Sequence, residues 1–361
     1  MLYRNKFGIA FLEYFIIFAN LLLYLIIMQQ YKYSFVVPVY NRPDEVEELL
    51  NSIANFEKTD EEIPFEVVIV EDGSTIPCKE IVDKYAENID IKYYVKENGG
   101  CAMARNYGYD KANGEMVIQT DSDCILPPHY LKEMHKKVKE ENLDAFGGPD
   151  AAHNSFNKLQ KATNYAMTSF FTTGGIRTKK QSLSGKRYSP RGCNFGVKKE
   201  INDKLGGFSK LRNGEDTEFG IRLYNNNYKV GFIENAFVYH KRRTSLKKFF
   251  KQVYWFGRAR VTLNKLYPDT SKLVFYLPTL FSFFVLFSLI LTCICPYSIL
   301  PLALYILLVF CDSAIKNKSF IIGILSILTS FTQLLGYGIG FFTEFFYRYI
   351  LRTGPTKGFN I

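Results

Sequence analysis

The sequence predicts an α/β fold with a parallel sheet, set between apolar segments long enough to meet a membrane. Three observations predict it. From Tyr33 onward, short apolar runs alternate with stretches of helical periodicity, an order that implies parallel strands joined by right-handed crossovers. Asn41, Asp72, Asp121 and Asp123 stand at the carboxyl ends of those runs, where open parallel sheets hold their ligands. The first thirty or so residues and the last ninety or so are far more apolar than the middle. The division expected is a membrane anchor over 1–31, a catalytic domain over 32–262 and a membrane region over 263–361 with two to three transmembrane helices.

Each element has its own warrant. Ile9–Met28 is an almost unbroken apolar run, about long enough to span a bilayer core. Arg4 and Lys6 also suit a signal peptide, but Gln29-Gln30-Tyr31 offers no small-residue cleavage site. A helix lying in the membrane interface is a third reading. Strands are expected over 33–41, 64–75, 91–97 and 115–123. A helix over 43–56 places Val46, Leu49, Leu50 and Ile53 on one face, with acids in its first turn. A second helix, over 101–112, is entered through Gly99-Gly100, and a charged surface helix covers 128–142. Residues 151–190 read as loops and short helices, 192–202 as a strand leading into a turn, 214–227 as a helix, and 228–243 as two short strands. The basic, amphipathic stretch 245–260 suits a membrane surface. Leu273–Cys295 reads as a transmembrane helix, Leu300–Cys311 as a shorter one reaching Ile315, and Phe320–Phe346 as a long one. In the last, Gly323, Gly336, Gly338 and Gly340 allow close helix contact. Three spans would put the Arg348, Arg352 and Lys357 tail outside; two spans and a re-entrant segment would keep it inside, as positive charge prefers.

Composition narrows the function classes. The chain has 361 residues, 47% hydrophobic, with a formal net charge of +10. A basic balance suits nucleic acid, anionic lipid or phosphate-bearing substrates. The cations are scattered, with short clusters at 241–243 and 247–248, and apolar segments flank both sides. Lipid headgroups and a diphosphate are therefore expected, and no nucleic acid. The seven cysteines form no CxxC pair and no metal-ligand spacing, which fits a reducing compartment and a cytosolic catalytic domain. No glycine fingerprint follows the first strand, and Gly185-Lys186 is followed by Arg187. This excludes a dinucleotide oxidoreductase and a P-loop enzyme.

The chemistry-bearing residues are acids. Asp121 and Asp123 in "TDSD" would point the same way from an extended chain, and their repulsion suggests a divalent cation, Mg²⁺ or Mn²⁺; a plain turn is the alternative. Glu71-Asp72 ends another strand on what reads as an adjacent parallel neighbour. Glu215-Asp216 opens a helix, where the dipole and capping alone favour acids. Arg105 can orient a carboxylate or phosphate. His240 is a metal ligand or a structural histidine.

In order and spacing these segments resemble the family 2 glycosyltransferases. The matching stretches are "VVPVYN" (36–41), "EDGS" (71–74), "NGGCAMARNYG" (98–108), "DSD" (121–123), "RGCNF" (191–195), "GGF" (206–208), "GEDTEFGIR" (214–222) and "QVYWFGRAR" (252–260). The resemblance implies a GT-A fold, a Rossmann-like and mostly parallel mixed sheet. It implies Pro38, Tyr40, Asn41, Asp72 and Arg105 around a nucleotide sugar, and Asp121 and Asp123 as a DxD motif. Asp123 would be the more direct metal ligand and His240 a helper. Asp216, beside Glu215, would be the catalytic base. Gln252, Trp255, Arg258 and Arg260 would form a loop over donor and acceptor, and Gly192, Cys193 and Asn194 would face the acceptor.

The chemistry implied is a single displacement with inversion, from a nucleotide-diphosphate sugar to a lipid-linked or glycan acceptor. It needs no nucleophile on the enzyme. Processive synthases of the family carry QxxRW; here Gln252 is followed by Val253, Tyr254 and Trp255, which favours transfer of one sugar. A catalytically inactive sugar-binding or scaffold protein is the non-enzyme alternative, and a processive synthase the second. The expected location is the cell membrane, multi-pass.

Overall fold

A computed structural model describes residues 31–59, 62–153, 155–174 and 190–352. The expected anchor over Ile9–Met28 lies outside the described residues, as do Gly175, Gly185–Arg187 and Lys357.

The four expected strands are β1 (Tyr33–Val39), β2 (Phe65–Asp72), β3 (Ile91–Lys96) and β4 (Met116–Gln119). They pair in parallel in the order β3-β2-β1-β4. β1 is covered on both faces, which is why it reads as an apolar run rather than an alternation. Helix α1 (Pro43–Ala54) buries Val46, Leu49, Leu50 and Ile53 against one face of the sheet. Helix α2 (Lys79–Tyr85), not expected from the sequence, joins that layer with Val82. Helix α3 (Cys101–Lys111) packs on the other face through Ala104 and Tyr109. Helix α4 (Tyr130–Glu141) is charged outside yet inserts Tyr130, Leu131 and Met134 into the core.

The sheet then becomes mixed. β6 (Ala145–Gly147), β8 (Phe195–Lys198) and β9 (Val230–Phe232) extend it to seven strands, β3-β2-β1-β4-β8-β6-β9, with β8 antiparallel to both neighbours. The expected turn after β8 is instead helix α7 (Lys199–Leu205). Asp72 and Asp121 follow strands that both flank β1, so the two strands are not neighbours as expected. A second sheet of β5 (Cys124–Ile125), β10 (Val238–His240) and β7 (Asp150–Ala151) pairs His240 opposite Cys124. This three-stranded patch decides where His240 goes.

The Ser/Thr-rich stretch forms helices α5 (Lys158–Thr168) and α6 (Phe170–Thr173), α5 opened by an Asn157–Gln160 capping box. Helix α8 (Glu215–Asn225) follows Gly214. The basic stretch 245–260 is part of a 21-residue helix, α9 (Leu246–Leu266), not a loop over the substrates.

Three apolar helices end the chain. Helix α10 (Leu277–Thr292) is the shortest, although the sequence marked it as the clearest span. Helix α11 (Leu300–Asn317) and helix α12 (Phe320–Phe345) are longer. Among the described residues, two helical stretches, Pro296–Asn317 and Phe320–Ile350, are long and apolar enough to cross a membrane. α12 does not stand away from the catalytic domain. Thr329 donates to the Ala162 carbonyl of α5 at 2.9 Å, and further along α12 packs against α9. A Cβ on Gly340 would strike the Tyr254 carbonyl, and one on Gly257 the Tyr337 carbonyl. The expected role of Gly336, Gly338, Gly340 and Gly323 in close packing holds: they face α9, α10, α9 and α11 respectively.

Candidate active site

The Asp121–Asp123 segment lies past the end of β4, where Cys124 N–H donates back to the Asp121 carbonyl at 3.1 Å. The chain turns there rather than running on as an extended strand, and both Asp121 and Asp123 line one cavity. Each has its own cations. Asp121 Oδ1 accepts from Arg105 Nη2 at 2.9 Å. Asp123 Oδ2 accepts from Arg42 Nη1 at 2.7 Å, with Arg243 Nη1 at 4.0 Å.

Asp123 Oδ1 is buried and accepts no hydrogen bond, although His240 Nε2 lies 3.1 Å away. Burial opposes ionisation of Asp123, but His240, Arg42 and Arg243 outweigh it and hold its carboxyl well below the ordinary range. Burial likewise lowers the value for His240, and Asp123 overrides it, pushing the imidazole up to about 10. Ligand atoms of Asp123, Cys124 and His240 lie within 4.8 Å of one another. The Cys124 thiol is pushed up by burial and is a poor partner for a hard cation. The apposed Asp123 oxygen and His240 nitrogen would fit an Mg²⁺ or Mn²⁺ ion that displaces the imidazolium proton between them, its other ligands coming from substrate and water.

Arg105 organises the other acids. Besides Asp121, its guanidinium donates to Glu215 Oε1 at 2.5 Å and lies 5.5 Å from the Phe208 ring. It braces carboxylates from two elements while itself lining the cavity. Gly192 permits this, because a Cβ there would sit 2.6 Å from Arg105 Nη2. Glu215 is turned inward and buried. Burial raises its acid, Arg105 lowers it, Asp216 raises it again, and the result is about 7. Both Glu215 and Asp216 line the cavity, but Asp216 makes no ion pair with Arg105. Its Oδ2 accepts from Gly192 N–H at 2.9 Å and its Oδ1 from Thr217 N–H at 2.6 Å. Those backbone donors aim the carboxylate while leaving lone pairs for another proton.

At the ends of β1 and β2, Pro38, Tyr40 and Asp72 line the same cavity. Asp72 Oδ1 accepts from Lys96 Nζ at 2.6 Å and Gly99 N–H at 2.9 Å, and Oδ2 from Gly100 N–H at 2.8 Å. Asn41 does not line the cavity. Its Oδ1 accepts from the Thr75 and Ile76 N–H groups at 2.7 and 2.9 Å, holding the 74–76 loop. Asn194 is also a correction: it is fully buried, its amide spent on the Tyr130 hydroxyl and the Ala236 carbonyl, both at 2.7 Å, while Gly192 and Cys193 line the cavity. From α9, Gln252, Trp255 and Arg260 line it. Arg258 turns away and donates to Glu344 Oε2 of α12 at 2.7 Å.

Sequence reasoning missed Arg42, Asp150, Arg191 and Arg242, all of which line the cavity. Arg191 and Arg242 both pair with Asp150, Arg242 at 2.6 Å. Adjacency to "VYN" and "RGC" was the available signal for Arg42 and Arg191. The Asp150–Arg242 pair arises only because β7 lies beside β10.

The cavity measures about 1790 Å³, well beyond the roughly 300–1,000 Å³ that holds one small ligand. It has room for two substrates end to end.

Residues 34–206 match the sequence model of glycosyl transferase family 2. The poly(ribitol-phosphate) β-N-acetylglucosaminyltransferase TarS of Staphylococcus aureus is 38% identical over 117 residues, 31% of this chain and 20% of TarS. The poly-β-1,6-N-acetyl-D-glucosamine synthase of Staphylococcus epidermidis is 27% identical over 252 residues, 68% of this chain and 59% of that protein. The chain thus spans a fifth of the first and about three fifths of the second. Among solved structures, the mannosyltransferase PcManGT from Pyrobaculum calidifontis, in complex with GDP-Man and Mn²⁺, superposes with a TM-score of 0.53 at 16% identity, over 86% of this chain and 87% of that one. That likeness concerns the fold, and it agrees with the mixed sheet and the strand-end cavity described above. Residues 34–206 are thus similar to the family 2 glycosyltransferases, and the chain has a GT-A fold.

Proposed function

We propose that the protein is an inverting, metal-dependent glycosyltransferase. It moves a sugar from a nucleotide-diphosphate sugar to a hydroxyl of a lipid-linked or glycan acceptor at the cytosolic face of the cell membrane, in assembly of a cell-surface polysaccharide or glycoconjugate. The observation that carries this reading is the division of labour between Glu215 and Asp216. Both line the cavity, but Glu215 is ion-paired to Arg105, while the Asp216 carboxylate is aimed by two backbone N–H groups. A carboxylate so held suits a general base.

In this reading the base and ribose lie against Pro38, Tyr40 and Asp72, and the diphosphate lies towards the Asp121–Asp123 turn. Asp123 and His240, with Asp121 nearby, would hold a divalent cation, which supplies charge neutralisation to the leaving nucleoside diphosphate. Arg42 and Arg243 add fixed positive charge beside Asp123. Asp216 takes the proton of the acceptor hydroxyl as its oxygen bonds to the anomeric carbon. The bond from that carbon to the phosphate oxygen breaks on the opposite face. Both named relatives handle N-acetylglucosamine, which supports an activated sugar as the donor class.

Likeness to the poly-β-1,6-N-acetyl-D-glucosamine synthase supports a second reading, processive synthesis. The Val253-Tyr254-Trp255 sequence after Gln252 speaks against it; a product ladder rather than one added sugar would favour it. The base assignment is tested by Asp216→Asn. The variant is expected to bind nucleotide sugar as the wild type does and to lose transfer by about 10²–10⁴-fold. A wild-type rate would refute the assignment.

A further inference from the structure

The cavity does not end at the catalytic acids. Beyond Asp216 it continues along α9 and reaches the apolar helices, where Phe275, Leu277, Pro278, Phe281, Leu334 and Tyr337 line it. Phe170 and Phe171 of α6, both exposed, flank the same arm. α10 and α11 pack chiefly on α12 and meet each other where the Phe281 and Tyr305 rings lie tilted with centroids 5.1 Å apart. The arm is therefore an apolar space at the junction of the domain with its three apolar helices.

A collar of cations separates this arm from the acids. Lys248, Lys251 and Trp255 follow one another at helical spacing along α9, and they and Arg260, further round the helix, all line the cavity. Arg212 reaches the collar from the loop before α8, 5.1 Å from the Trp255 ring. Arg260 lies 4.0 Å from the Phe275 ring, where the arm turns apolar. None of these four cations has a carboxylate partner among the described residues. Asp269 is the one acid lining this stretch. Four cations gathered between a carboxylate base and an apolar groove are complementary to an amphiphile with an anionic headgroup.

We infer that the arm seats the hydrocarbon chain of an acceptor lipid, and that Arg212, Lys248, Lys251 and Arg260 hold its phosphate or diphosphate headgroup. This rests on the proposed transfer reaction and narrows its acceptor to a phospholipid-type carrier with a single long chain. The headgroup then sits between chain and base, which sets the sugar hydroxyl beyond it within reach of Asp216.

Trp255 is the only tryptophan in the chain, so its fluorescence reports on the collar. The full chain, in phosphatidylcholine vesicles with EDTA present, is titrated with dimethylallyl, geranyl and farnesyl phosphates, farnesol and inorganic phosphate. Affinity is expected to rise with chain length, and farnesyl phosphate to bind at least tenfold more tightly than farnesol or inorganic phosphate. Lys248→Gln with Lys251→Gln, both exposed positions, should remove most of the advantage over farnesol. Equal binding of farnesol and farnesyl phosphate, no dependence on chain length, or no binding would each overturn the inference. Displacement by excess phosphatidylglycerol would also overturn it, assigning the collar to bulk lipid. So would displacement by a nucleoside diphosphate, which would place the probe at the donor's phosphates. Nucleoside diphosphate binding with metal, measured on the same sample, keeps a failure here distinct from a failure of the glycosyltransferase reading.

Discussion

Arg105 is where this site departs most from what its residues suggest singly. A charged residue on a helix after Gly99-Gly100 reads as orienting a carboxylate or a phosphate; its guanidinium pairs with two carboxylates at once, Asp121 and Glu215. Gly192→Ala would push a methyl into that guanidinium, and it is expected to lower transfer at least tenfold while leaving the protein folded. An unchanged rate would mean that the Arg105 brace is dispensable. Glu215 supplies a pH signature. Its native acid, held at about 7 by burial against an ordinary value of 4.5, favours the folded state while protonated. That contribution is complete below about pH 4.5 and is lost as pH rises through about 7, at up to about 1.4 kcal/mol per pH unit. The melting temperature of Glu215→Gln should lack this slope, and parallel wild-type and variant curves would contradict it. At this scale the sequence displayed residue types and strand ends but not partners. Asp121, Asp123, Asp72 and Asp216 were legible because acids at strand ends and helix starts stand out. The partners of Asn41, Asn194 and Arg258 were not, because each is decided by a distant chain segment.

Among the elements, α9 carries the most consequence. It presents Gln252, Trp255 and Arg260 to the cavity and turns Gly257 and Arg258 to α12. Glu344 is completely buried between Arg258 and Arg348, at 2.7 and 2.6 Å. Removing one member of a buried ionic group leaves the others unpaired, at about 3–5 kcal/mol. Glu344→Ala is expected to lower stability by that order, and equilibrium unfolding in detergent measures it. Gly340→Val should cost about 1–3 kcal/mol by overpacking against the Tyr254 carbonyl. Helical periodicity made α1 legible, the Gly99-Gly100 entry marked α3, charge marked α4, and glycines marked the contact faces of α12. Two elements misled. The stretch 245–260 reads as a free amphipathic surface because its partner lies some eighty residues later. The stretch 273–295 reads as one span because hydropathy does not register the 3₁₀ turn over Leu273–Phe275 that delays the helix.

Across the described residues, the apolar helices and the α/β domain form one packed body. Thr329 meets α5 and Glu344 meets α9 along the same helix. Trp255 fluorescence and far-ultraviolet circular dichroism should therefore report one coincident unfolding transition; an early Trp255 transition would indicate that α9 and α12 separate first. Strand–helix alternation made the parallel half of the sheet legible. The antiparallel insertion of β8, and the small sheet that brings His240 to Asp123, depend on pairings across many residues that no local pattern encodes. The central claim is that this body performs a single displacement, with Asp216 as base and no nucleophile on the enzyme. Proton NMR of the sugar released from an α-linked nucleotide donor, recorded in the first turnovers before the anomers equilibrate, tests it most directly. The account predicts the β anomer; release of the α anomer would contradict it.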